Sequence, residues 1–350
     1  MRSICLAFVL AAGMTMLASV GLAQQASTTG PYKVLKTAKV GGEGTFDYIF
    51  ADVEGRRLYT PRNGPMGHLA VFNLDTLEPV GEIQNVRAGG AVVDPKSHHG
   101  FSTTKPITMW DSITLKVIKT IDVDGRPDGI MFDPYNERVW VQSHQPPYST
   151  VIDAKEGTVV GTLDLGGQPE QAVSDRKGHL YIDLEDKGSI AVVDAKALKV
   201  TGTYDLAGKG GTCAGLAFDV KNHVLFATCR NPQTMVILNS ENGSIITTLP
   251  IGSGTEGAVF NPSTMETFSS QSDGTLTVVK ENSPTSFVVE QTVKTMPVAK
   301  TLTFDSKTNH ILLMSAEFAP APPGAPARPA GPPRGDMLPG SFVLLMVGNE

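Results

Sequence analysis

The residues able to do chemistry are few and far apart. Asp47, Arg126, Asp128, Glu170, Glu256 and Lys300 sit in short polar segments just ahead of apolar runs, and Arg62, Lys105, His144 and Arg230 sit just behind others. Carboxylates mixed with guanidinium, ammonium and imidazole groups suit a small polar ligand, a peptide or an ion. Asp47, Asp128, Glu170 and Glu256 could hold a hard divalent cation through oxygen. None of these residues forms an HExxH run, a paired Cys/His spacing or a GxSxG elbow, so neither a catalytic set nor a metal ligand set is assigned and no cofactor is specified. The run Gly208-Lys209-Gly210-Gly211 lacks the Ser or Thr that follows Lys in a phosphate loop. His98, His179, His223 and His310 each follow a recurring Asp by four or five residues, which reads as turn chemistry; His144 alone falls among the polar segments.

What must position these groups is a repeat. Seven apolar runs end at Asp52, Asp94, Asp133, Asp175, Asp219, Asn261 and Asp305, at spacings between 39 and 44 residues. Each leads into a second short run, such as RRLYTP, ERVWVQ or NHVLFA, and most into a third and a fourth. Four short strands every ~40–45 residues is the period of a β-propeller blade. No longer window keeps a helical period, and the 36 Gly and 24 Pro supply the many turns such a chain needs. The expected fold is all-β, a seven-bladed β-propeller with four-stranded blades. The last repeat has only three strands, whereas the apolar run at 31–40 has no blade of its own. The N-terminal strand is therefore expected to complete the last blade, closing the ring and hiding two strand edges. In such a ring the segments entering each innermost strand, and those joining second to third strands, open on one face. The ten charged residues above would meet there as a mixed-charge funnel.

The stretches VVDAKALKVTGTYDL and GRPDGIMFDPYNERVWV resemble the YVTN repeat, and the resemblance covers nearly all of 31–350. The chain is similar to the YncE-like seven-bladed proteins of bacterial periplasm. That resemblance implies a binding scaffold that presents its funnel to a small molecule or a protein partner, and implies no specific enzyme activity. The alternative is a periplasmic propeller enzyme of lyase, lactonase or oxidoreductase type, with a metal or quinone cofactor in the funnel. Some relatives bind single-stranded DNA, but a net charge of −6 and an aromatic content of 7% argue against nucleic acid here.

Residues 1–23 read as a secretory signal peptide: Arg2, an apolar stretch over 4–20, and small residues at Gly21 and Ala23. Residues 24–350 then form a single propeller domain, with a Pro/Ala/Gly-rich loop insertion at 319–339 between the second and third strands of the last blade. The expected location is periplasmic or secreted, the expected state a monomer. No later stretch reaches the ~18 apolar residues of a membrane span. Cys213 and Cys229, the two cysteines outside the leader, stand at the open ends of one hairpin. In an oxidising compartment they predict a disulfide, worth roughly 3 kcal/mol for a loop of about 15 residues by the chain-entropy argument. Asn242-Gly243-Ser244 matches a glycosylation sequon but reads as a hairpin turn.

Overall fold

The turns come first, because they set the period. The Asp or Asn that ends each innermost strand accepts backbone N–H groups two or three residues on. Asp94 takes Lys96 N, Asp219 takes Lys221 N, Asn261 takes Ser263 N, and Asp52 takes Gly55 N, all at 2.9 Å. At the end of each turn one residue adopts a left-handed backbone: Arg56, His98, Glu137, Arg176, His223, Met265 and Asn309, with φ between 52° and 61°. Asn73, Asp111, Asp153, Asp194 and Asn239 repeat the device between third and fourth strands. The recurring polar residue thus turns the chain. Asn242–Gly243 is part of such a turn: Gly243 N donates to Asn239 O at 2.9 Å, and Gly243 has φ 72°.

This computed structural model describes residues 27–64, 67–324 and 333–349. The expected signal peptide and residues 325–332 of the insertion lie outside the described residues. The turns fold the chain into seven antiparallel four-stranded sheets. The first six blades span 50–84, 91–121, 127–163, 169–205, 213–250 and 255–294. The seventh runs from the innermost strand Leu302–Asp305 through His310–Ser315 and Val343–Asn349 to Tyr32–Lys39 at the rim. The last two strands pair from Tyr32 opposite Asn349 to Lys39 opposite Val343, so the N-terminal strand closes the ring. No helix occurs among the described residues, and none is long and apolar enough to cross a membrane.

Seven apolar clusters hold the wheel together, one between each pair of adjacent blades. Trp110 and Tyr59 fill the gap between blades 1 and 2, and Trp140 with Leu180 and Ile182 fills that between blades 3 and 4. Second and third strands are covered on both faces and read as unbroken apolar runs, as in Ser189–Asp194. The rim strand Lys199–Asp205 alternates half-buried and exposed residues. Cys213 and Cys229 lie opposite one another across the first two strands of blade 5 and are bonded.

Candidate functional site

Radial repetition turns one register position into a ring. The residue five before the turn Asp or Asn is, blade by blade, Asp47, Gly89, Asp128, Glu170, Ala214, Glu256 and Lys300. Five of the seven are charged, and all five line one cavity of about 700 Å³ at the mouth of the central channel. The loops between second and third strands add His144 and Glu185, the end of the second strand of blade 5 adds Arg230, and Arg126 enters from the segment before blade 3. Eight of the ten expected site residues therefore converge.

Two groups divide the cavity. On one side charges alternate across five blades. Lys300 Nζ bonds the Glu256 carboxylate and lies 3.7 Å from Asp47 Oδ1. Arg230 holds Glu256 Oε1 at 3.1 Å and also binds Glu185, while its Nε donates to Thr255 O at 3.0 Å. On the other side, His144 Nε2 stands 3.2 Å from Asp128 Oδ2 and 3.4 Å from Glu170 Oε1. Arg126 meets the other ring nitrogen, Nδ1. A guanidinium only donates, so a hydrogen bond there requires the neutral ring with Nδ1 as acceptor and its proton on Nε2, on the side of the two carboxylates.

Burial sets the electrostatics. It pushes the Asp128 carboxyl up to about 6, helped by the neighbouring charges of Asp47 and Glu170. It also raises Asp47, against the pull of Lys300, and raises Glu185, with Glu170 adding repulsion. Lys300 is pushed down by burial despite its carboxylate neighbours. Contact with Glu170 raises His144. Burial alone would raise Glu170 too, but His144, Tyr48 and Arg230 hold it below the usual carboxylate range.

Tyr48 forms the floor, and Gln171 lies in the lining of the channel beneath it. The Tyr48 hydroxyl donates to Glu170 Oε2 at 2.5 Å, from blade 1 to blade 4. Gln171 Oε1 accepts from Leu216 N and Ala258 N, both at 3.0 Å, and so ties blade 4 to blades 5 and 6. Both residues occupy the position four before the turn Asp, where the other blades carry Gly90, Gly129, Gly215, Gly257 and Thr301. That contrast is a signal the sequence reading passed over. Arg334, from the insertion, also lines the cavity, with its guanidinium 4.9 Å from the centre of the Phe318 ring. Beneath the floor a channel cavity of about 320 Å³ is lined in part by Glu170 and Gln142. Gln142 is buried, and neither of its amide atoms has a hydrogen-bond partner.

Two expected site residues lie outside the cavity lining. Arg62 is buried between blades 1 and 7, its guanidinium 3.9 Å from the Phe342 ring centre and its NH1 3.1 Å from Met314 Sδ. Aromatic and sulfur contacts take the place of water there, and burial lowers the guanidinium to about 9. Lys105 is exposed and donates from Nζ to Gly125 O at 2.9 Å, outside the cavity lining. Of the histidines read as turn residues, His98 and His223 hold the left-handed turn position and His179 bonds Asp175, all away from the funnel.

Comparison with known proteins leaves the chemistry open. No protein family matches the chain, and no curated protein does. Among solved structures, a chain in the crystal structure of a mitotic checkpoint complex is similar, with TM-score 0.67 and 11% identity. The match covers 89% of this chain and 96% of that one. At that identity the likeness concerns the fold. In all, 1635 chains of solved structures match, so the architecture is too widely shared to choose an activity.

Proposed function

We propose that this protein is an exported, monomeric binding protein of the YVTN-repeat, YncE-like kind, and that its funnel takes a small polar molecule carrying charge of both signs. The observation that carries this reading is the convergence of ten acidic and basic side chains from six blades on one cavity of about 700 Å³, a size suited to a small ligand. Their order supports it further. Long cationic side chains would be mobile in a wet loop, but Arg230 and Lys300 are held by partners on neighbouring blades, which keeps the polar groups arranged before a ligand arrives. The Cys213–Cys229 disulfide fits an oxidising compartment.

The test is native mass spectrometry of the full exported chain from its own host, followed by titration of any co-purified molecule. Glu170→Gln and Lys300→Met should each weaken its binding at least tenfold, measured on variants whose far-ultraviolet circular dichroism matches that of the parent. Binding unchanged in both variants would refute the reading. A second reading, a propeller enzyme, is favoured by Asp128, whose carboxyl near 6 faces His144 inside a cavity. Turnover lost in Asp128→Asn with ligand binding retained would select it.

A further inference from the structure

We infer that Asp128, His144 and Glu170 form a binding site for one divalent first-row transition-metal ion, of zinc or manganese type, with its open side toward the funnel. The inference rests on the reading of the funnel as the binding face, and adds a chemical identity to one side of it.

Geometry carries the argument. One ligand atom from each of the three residues lies within 4.8 Å of the other two. Ligands ~2.1 Å from a shared ion stand roughly 3.0–3.4 Å apart in octahedral or tetrahedral arrangements. His144 Nε2 already keeps 3.2 Å from Asp128 and 3.4 Å from Glu170. It is fully buried and makes no aligned hydrogen bond with either. A ring nitrogen aimed between two carboxylate oxygens, at ligand spacing and without a proper hydrogen bond, is the arrangement a cation would complete.

Charge points the same way. Arg230 and Lys300 are engaged by Glu185, Glu256 and Asp47 on the far side of the cavity. Asp128 and Glu170 share one imidazole in direct contact, with the Tyr48 hydroxyl on Glu170 and only longer-range attraction from Arg126 and Arg230. A doubly charged ion balances two carboxylates and leaves the imidazole neutral. The donor set also selects. Calcium takes six to eight oxygens and magnesium keeps its waters, whereas an imidazole with two carboxylates suits zinc, manganese or ferrous ions. Gln142 lines the adjoining channel cavity and not the one that His144 and Asp128 line. It lies two residues before His144, buried, on the wall of the channel that Glu170 also lines, and both its amide atoms lack partners. A buried amide in that state is suited to a water or ligand beside it.

Arg126 opposes the ion. With His144 Nε2 on a metal, Nδ1 must carry the proton and needs an acceptor, which a guanidinium cannot be. Arg126 is exposed and can swing into solvent. It therefore acts as a competitor for the loaded state, and its removal should tighten binding.

The experiment uses the full exported chain, stripped with a chelator and titrated calorimetrically with zinc and with manganese, calcium serving as control. One equivalent of zinc or manganese should bind, at least tenfold tighter than calcium. His144→Ala and Asp128→Asn should each weaken binding tenfold or more, and Arg126→Gln should strengthen it severalfold. Cobalt loaded in place of zinc should give the absorption bands of a coordinated ion in the parent and lose them in His144→Ala. Should either weakening variant fail to fold, the gain from Arg126→Gln and the cobalt spectrum of the parent decide. Absence of binding at millimolar metal overturns the inference, as does binding that none of the three substitutions alters. The titration needs no organic ligand, so its failure leaves the small-molecule reading standing, and failure of the ligand titration leaves a metal result standing.

Discussion

Replacing Arg230 with Met tests whether the funnel's ion pairs are a strained, prearranged set or a relaxed surface. Arg230 is 11% exposed, Glu185 20% and Glu256 12%. Glu256 keeps Lys300 after the change, so Glu185 is the group left without its cation. Removing one partner of a fully buried pair costs about 3–5 kcal/mol. Partial exposure of Glu185 brings the expected loss to about 2–3 kcal/mol at pH 8. The sign with pH follows from the carboxyl. Burial and Glu170 already raise Glu185 in the folded protein, and losing Arg230 raises it further. A carboxyl with a raised folded pKa weakens the fold as pH climbs through the interval between its unfolded and folded values. The deficit should be larger at pH 8 than at pH 5, because the raised Glu185 carboxyl takes up a proton as pH falls and then no longer needs its cation. Urea unfolding reads this as a midpoint lowered by roughly 1 M at the higher pH. Arg230→Met combined with Glu185→Gln should recover most of it. A deficit equal at both pH values, or a double variant no more stable than the single, would show that Arg230 acts through packing and not through charge.

Two further outcomes follow from the same structure. Cys213→Ala with Cys229→Ala should lower stability by about 3 kcal/mol, and the unreduced parent should release no titratable thiol; two free thiols would end the disulfide assignment. Glu281, buried in blade 6, has its carboxyl pushed up to about 7 by burial and by Asp219, although Asn222 donates to it at 2.7 Å. It costs the fold most above that pH, so Glu281→Gln should add about 2 kcal/mol at pH 8 and almost nothing at pH 4.5, read as the difference between two melting profiles.

The fold was legible because its rule is local. An Asp that caps its own turn and apolar runs of strand length can each be read within a dozen residues, and seven copies make the pattern unambiguous; the left-handed residue closing each turn, of varied type, shows only in the structure. The charged ring was legible for the same reason. Asp47, Asp128, Glu170, Glu256 and Lys300 share one register position, and radial symmetry alone places them around the channel mouth. The sequence offers no guide where side-chain direction depends on a distant blade. Arg62 follows a second strand like other site residues, but Phe342 and Met314, more than two hundred residues later, offer it a ring and a sulfur, and it turns inward. Arg334 belongs to an insertion outside the repeat, so no period could place it in the cavity. The pairing of charges was equally out of reach. Repetition says that carboxylates and cations meet, but the choice of Lys300 for Glu256 and of His144 for Asp128 and Glu170 is made by the radius of the ring and by which neighbours are Gly or Ala. Gly89 and Ala214 supply no charge at the two remaining positions. The ring is thereby split into an arc whose charges largely satisfy one another and an arc left rich in carboxylate. That asymmetry, absent from any single repeat, distinguishes the two sides of the pocket chemically.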